Sequence, residues 1–98
     1  MTAALLAALL ACAPHECAVI THPNGYVSEI VQGYGHRVHV PNMLAAAFKV
    51  PHAGYEFHHS HLTESGLSEA DRALFERNPG LSRLCAWLPS GKSDCVNR

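Results

Sequence analysis

The chain opens on an almost unbroken apolar run, Thr2 to Ala13, in which Thr2 is the only polar residue. The run predicts a helix capped by Thr2 and stopped before Pro14. Being apolar on every side, that helix would sit centrally in the fold or face a partner. A second reading stays open: a secretory h-region, with Ala11-Cys12-Ala13 as a small-x-small cleavage site. The run is too short to span a membrane.

The pattern then changes to short β-branched segments. Cys17-Ala-Val-Ile-Thr21 predicts a strand, and His22-Pro-Asn-Gly25 a turn. Tyr26 to Gln32 is the expected return strand and Gly33-Tyr-Gly35 a second turn. His36 to Val40 is a third strand, closed by Pro41. Three short strands joined by tight turns predict an antiparallel meander.

Helical and extended signals alternate from there on. Asn42 is placed to cap a short helix, Met43 to Phe48, which Pro51 stops. Tyr55 to His61 alternates weakly and predicts a fourth strand. Phe57, His59 and His61 would share one face of it, with His58 opposite. Ser68-Glu-Ala-Asp71 has the form of a capping box. The helix after it, Glu69 to Arg77, would turn Ala70, Leu74 and Phe75 inward and Asp71, Arg72, Glu76 and Arg77 outward. Leu81, Leu84, Cys85 and Leu88 recur at i, i+3, i+4 and i+7, which predicts a second short helix with a buried stripe. Lys92 to Arg98 reads as a polar tail.

The expected architecture is one α+β domain spanning residues 1–98. It comprises an N-terminal apolar helix or targeting segment (1–13), a three- to four-stranded antiparallel sheet region (17–61), a helical pair (67–88) and a polar tail (89–98). Ninety-eight residues are enough for one domain but leave stability marginal without a metal, disulfides or a partner chain.

Composition narrows the function classes. A formal net charge of −1 and 15% charged residues, with no basic block, lack the electrostatic footprint of a nucleic-acid binder. The eight histidines make the charge sensitive to pH, since eight added protons would take it from −1 to +7. Four cysteines stand at 12, 17, 85 and 95. Free buried thiols in a cytoplasmic protein are the first expectation, two disulfides the second and a cysteine-based metal site the third. Leu9-Leu10-Ala11-Cys12 also resembles a bacterial lipobox, which would imply export with a lipid anchor on Cys12, although no basic residue precedes it.

The densest chemistry lies between Gly35 and Leu62, which hold six of the eight histidines. His58, His59 and His61 are candidate ligands for zinc, copper or nickel, because imidazole suits all three ions. His39 or His52 could complete the set, with Glu56 or Glu64 as a carboxylate. The competing reading is a polar edge strand whose histidines face water. A nucleophilic Cys17 beside His15 or His22 would make a small hydrolase. His61-Leu62-Thr63 resembles one His-x-Thr element of phosphoesterases that carry two, and the second copy is missing. Tyr26, Tyr34, Tyr55 and Trp87 are candidate anchors for a protein partner or a second copy of the chain. Trp87 has the strongest claim to exposure, since it falls off the predicted helical stripe. The leading expectation is a small non-enzymatic binding or regulatory protein. A histidine-rich metal binder is the alternative, and a hydrolase using a His/Cys site the third.

Overall fold

Thr2 begins the first helix as the sequence requires: its Oγ1 accepts a hydrogen bond from the Leu5 N–H at 3.2 Å. In the computed structural model, which describes residues 2–28, 30–33, 40 and 42–98, this helix α1 spans Ala3–Leu10. The order continues with β1 (Cys17–Thr21), β2 (Val31–Gln32), α2 (Asn42–Ala47), β3 (Tyr55–Ser60), α3 (Glu69–Arg77), β4 (Leu81–Trp87) and β5 (Ser93–Asn97). The five strands form one sheet in the order β2-β1-β3-β4-β5.

The class is α+β, but the sheet is mixed rather than an antiparallel meander. β3 runs parallel to β4, and the other neighbouring pairs are antiparallel. A parallel pair needs a crossover, and α3 supplies it between β3 and β4. The expected helix over Leu81–Leu88 is strand β4, so the helical pair reduces to α3 alone. β4 lies between β3 and β5, and Leu84, Cys85 and Ala86 are all fully buried. A strand covered on both faces reads as a continuous apolar run, which the i, i+3, i+4, i+7 test cannot separate from a buried helix. The expected polar tail is β5, the edge strand beside β4. Arg98 follows it and donates to the carbonyls of Phe75 (2.6 Å), Asn78 (3.2 Å) and Leu81 (3.4 Å), satisfying the end of α3.

The return strand is shorter than expected. His22 N–H donates to the Tyr26 carbonyl at 2.7 Å, and Gly25 takes a φ of 89° to close the turn. Beyond it, Thr21 and Val27 form an isolated bridge. The Ser28 hydroxyl then accepts the Ile20 N–H at 2.8 Å, a side chain standing in for a strand partner. Regular pairing resumes only at Val31 and Gln32. The expected third strand, His36 to Val40, falls mostly outside the described residues; Val40 packs against the core.

The sheet separates two apolar clusters. One holds Ala18, Ile20, Phe57, Leu81 and Leu84 with Phe48 after α2 and Phe75 of α3. The other holds Cys17 and Val19 against Leu9 of α1, with Trp87 partly buried beside them. Alternation along β1 accounts for the split, because Ala18 and Ile20 point one way and Cys17 and Val19 the other. Each fully buried Leu or Ile contributes about 1.5–3 kcal/mol.

All four cysteines are paired: Cys12 with Cys17, and Cys85 with Cys95. The first bridge ties the end of α1 to β1, and the second joins facing positions on β4 and β5. The free-thiol expectation is therefore overturned, and so is a cysteine-based metal site. Cys12, the residue a lipid anchor would use, has its sulfur bonded to Cys17. No described helix is long and apolar enough to cross a membrane.

Candidate metal centre

β3 sits between β1 and β4, so its histidines belong to a central strand and not to an edge. His58 and His59 are each only 4% exposed. Successive residues of a strand point to opposite faces, and the tandem pair is divided accordingly. His59 lies with Phe57 on the α3 side, and His58 lies with Glu56 on the α1 side.

His61 follows the last residue of β3. Its backbone N–H donates to the Trp87 carbonyl at 2.8 Å, extending the pairing with β4 one step. That keeps His61 in phase with His59, and their Nε2 atoms come within 2.9 Å. Asp71, in the first turn of α3, completes the group. Its Oδ1 lies 3.2 Å from His59 Nε2 and its Oδ2 3.2 Å from His61 Nε2. One ligand atom from each of the three residues falls within 4.8 Å of the others.

Sequence places Asp71 here through the capping box. The Ser68 Oγ accepts the Asp71 N–H at 3.1 Å, and Asp71 Oδ2 accepts the Ser68 N–H at 3.0 Å. The reciprocal bonds fix the carboxylate at the N-terminal end of α3, beside the carboxyl end of β3 where His61 leaves the sheet. The outward placement of Asp71 is thus corrected. Burial alone would raise its pKa. The hydrogen bonds from His59 and from the Ser68 N–H outweigh burial and hold the carboxyl well below its usual 3.8.

Counting protons shows what the group lacks. His61 Nδ1 lies 3.0 Å from the Ser65 carbonyl, an acceptor, so Nδ1 carries a proton. With that single proton, the His61 Nε2 presents a lone pair. His59 Nδ1 is buried with no hydrogen-bond partner, so the His59 proton belongs on Nε2. One N–H consequently faces His61 Nε2 and both Asp71 oxygens, all of them acceptors. A second proton or a metal ion would complete such a group.

A cavity of about 280 Å³ opens beside His61 and Asp71, with Glu16, Thr63, Ser65 and Ser68 on its wall.

The other candidate residues are dispersed. His58 accepts the Trp87 indole N–H on Nδ1 at 3.1 Å, so its Nε2–H donates to Glu56 Oε1 at 3.1 Å. Burial lowers the His58 pKa below 6.5, against the opposing pull of Glu56. His52 lines a different cavity with Gly54, Pro79 and Arg98, and Glu64 accepts the Ser90 N–H at 2.9 Å. His39 lies outside the described residues. The hydrolase reading loses its nucleophile, since the Cys17 sulfur is bonded to Cys12.

Of the aromatic anchors, Tyr26 is 59% exposed. Tyr55 packs between His22 and Phe48, with ring centroids at 5.1 and 5.6 Å. Trp87 is partly buried against the α1-side cluster, because on a strand it alternates with Ala86 rather than falling off a helical stripe. Tyr34 lies outside the described residues.

Fold and site together define a small disulfide-bonded α+β domain with a His/His/Asp group at the carboxyl end of its central strand. The chain matches no protein-family model, no curated protein and no solved structure.

Proposed function

We propose that the protein binds one divalent transition-metal ion, zinc in the first instance, through His59 Nε2, His61 Nε2 and a carboxylate oxygen of Asp71. The observation that carries this reading is the convergence of three ligand atoms from His59, His61 and Asp71. Zinc–ligand bonds of about 2.0–2.2 Å set tetrahedral ligands about 3.3–3.5 Å apart. The two Nε2 atoms lie 2.9 Å apart, each is 3.2 Å from a different Asp71 oxygen, and one oxygen falls with both nitrogens inside 4.8 Å, so the ligand atoms must shift somewhat to reach that span. Outer contacts already hold two of the ligands, through Ser65 on His61 and Ser68 on Asp71.

One cost opposes binding. Metal on His59 Nε2 moves the ring proton to Nδ1, where it is buried without a partner, and this costs about 1–3 kcal/mol. Zinc binding of about 10–16 kcal/mol in small structural sites exceeds it comfortably. Nitrogen and oxygen donors also suit copper(II) and nickel(II). No thiolate is available, as both cysteine pairs are oxidised.

The reading of the chain as a protein-contact module has less behind it. Among its described anchors, Tyr26 alone stands well clear of the core. For the compartment, two disulfides favour an oxidising environment over the cytoplasm.

The test is metal content by elemental mass spectrometry on untagged protein purified without chelator, followed by zinc titration of the chelator-treated chain. One equivalent is expected, and it disappears in the double variant His59→Ala/His61→Ala. A chain that takes up no stoichiometric metal, or a double variant that keeps it, overturns the proposal.

A further inference from the structure

The opposite face of the sheet carries a second site that owes nothing to the metal group. Beneath α1 lies a cavity of about 410 Å³, lined by Leu5, Val19, Val27, Thr21, Glu56 and His58, with Thr2 at its edge. That volume falls within the range of small-molecule sites, about 300–1,000 Å³. The walls are mainly aliphatic, and the one carboxylate among them is Glu56.

Glu56 is held from behind. The Trp87 indole N–H can only donate, so it fixes His58 Nδ1 as an acceptor. The His58 proton is thereby forced onto Nε2, which donates to Glu56 Oε1. Every donor in this relay points the same way, from core to cavity. His58 is 4% exposed, and with Nδ1 accepting the indole N–H it holds a single ring proton, so it orients the carboxylate without cancelling its charge. Arg83 faces Glu56 across the β3–β4 pairing, but its Nη2 donates to Cys95 Sγ at 3.5 Å. Among the described residues, the only ion-pair contact of Glu56 is with His58. The carboxylate retains acceptor capacity towards the cavity, since an ionised carboxylate has about four lone-pair positions.

We propose that this cavity binds a small organic ammonium: a positively charged amine that pairs with Glu56 and lays a short apolar body against Leu5, Val19 and Val27. The Glu56 carboxylate supplies the charge selection, and the His58–Trp87 relay holds it in place. The metal site lies across the sheet and is not needed.

The test titrates the chelator-treated full chain with n-pentylammonium, n-pentanol and pentanoate, by calorimetry and by the fluorescence of Trp87, the single tryptophan. Saturable binding of the ammonium is expected, with the alcohol at least about tenfold weaker, as a charge-assisted hydrogen bond implies. The carboxylate should be weaker still. In Glu56→Gln, which keeps an acceptor for His58, the ammonium and the alcohol should bind within about twofold of each other. Leu5→Phe fills the cavity from the α1 side and should abolish ammonium binding while near-ultraviolet circular dichroism stays native. The inference falls if the wild-type chain binds no ammonium, or binds ammonium and alcohol equally. It also falls if folded Glu56→Gln keeps the preference. Should Glu56→Gln fail to fold, the three probes on the wild-type chain and Leu5→Phe decide the matter alone.

Discussion

Asp71→Asn separates the two roles of this residue. Asparagine keeps an oxygen for the Ser68 N–H, so the capping box survives. Its amide N–H₂ then replaces Oδ1, the oxygen facing the His59 Nε2–H, and that N–H is left to the His61 Nε2 lone pair at 2.9 Å. The metal-free fold then loses one charge-assisted hydrogen bond, about 1.5–3 kcal/mol, and one negative charge at a helix N-terminus, about 0.3–1 kcal/mol. Metal binding should respond differently, because Asp71 is the only anionic ligand of the three. At a zinc concentration of about 100 times Kd, the wild-type chain gains about 2.7 kcal/mol of stability. For a domain of this size that corresponds to a rise in Tm of about 10–20 °C. In Asp71→Asn the zinc-dependent rise should shrink to about 3 °C or less at the same concentration. Asp71→Ala should destabilise the metal-free chain by about 1 kcal/mol more than Asp71→Asn, since it also removes the acceptor of the Ser68 N–H. The assay is thermal unfolding with and without chelator, followed by far-ultraviolet circular dichroism. A full zinc-dependent rise in Asp71→Asn would refute the assignment of Asp71 as a ligand. A metal-free Asp71→Asn as unstable as Asp71→Ala would show that the carboxylate is structural.

Acid should weaken the metal-free fold in two stages. Both folded pKa values lie below their unfolded ones, so the unfolded chain takes up protons first and stability falls as pH falls. The His58 contribution is present above about 6.5 and lost below it, and the Asp71 contribution is present above 3.8 and lost as pH drops further. Urea unfolding between pH 7 and 5 should therefore be less steep in pH for His58→Gln than for the wild type; equal slopes would count against a buried neutral His58. Gly80→Ala should cost about 2–3 kcal/mol by overpacking, because its Cβ would lie 2.7–2.8 Å from the carbonyl oxygens of Ala47, Phe48 and Val50; unchanged urea stability would contradict that close approach. Loop entropy makes the second disulfide the stronger, its cysteines being 10 residues apart against 5 in the first. Replacing Cys85 and Cys95 by serine should cost about 3 kcal/mol, and replacing Cys12 and Cys17 about 2 kcal/mol. A reversed order in guanidinium unfolding would argue against loop entropy as the source.

Where local chemistry decides structure, the sequence was readable. Thr2 caps α1, β1 runs from Cys17 to Thr21, the 22–25 turn closes on Gly25, and Ser68 with Asp71 opens α3. Each of these depends on a few adjacent residues. The elements that sequence misjudged depend on distant ones. Leu81 to Trp87 is extended because β3 and β5 flank it, and neither neighbour is visible in a window of eight residues. The polar appearance of Ser93 to Asn97 fits an edge strand as well as a tail. Its attachment comes from pairing with β4 and from the bridge between Cys85 and Cys95. The meander expectation failed for the same reason, since strand order is a property of the whole chain.

The site shows the same division more sharply. Alternation along β3 separated His58 from His59 and joined His59 to His61, and the structure keeps that partition. What alternation could not supply was the third member of the group, Asp71. Asp71 was read as a solvent-facing helix residue, because helical periodicity assigns a face but not what that face meets. The capping box held the missing information: an acidic side chain folded back over the first turn of a helix faces whatever that turn abuts. Here the turn abuts the carboxyl end of β3, ten residues upstream of Asp71 at His61. The six-histidine stretch also suggested one site where the fold builds two environments. Period two sends the tandem His58 and His59 to opposite sides of a buried sheet, so neither can serve the other's ligand. His59 joins His61 and Asp71. His58 becomes the middle link of a relay from Trp87 to Glu56. Histidine density therefore overstated the number of ligands for any single ion, while the alternation within it marked where the two sites divide.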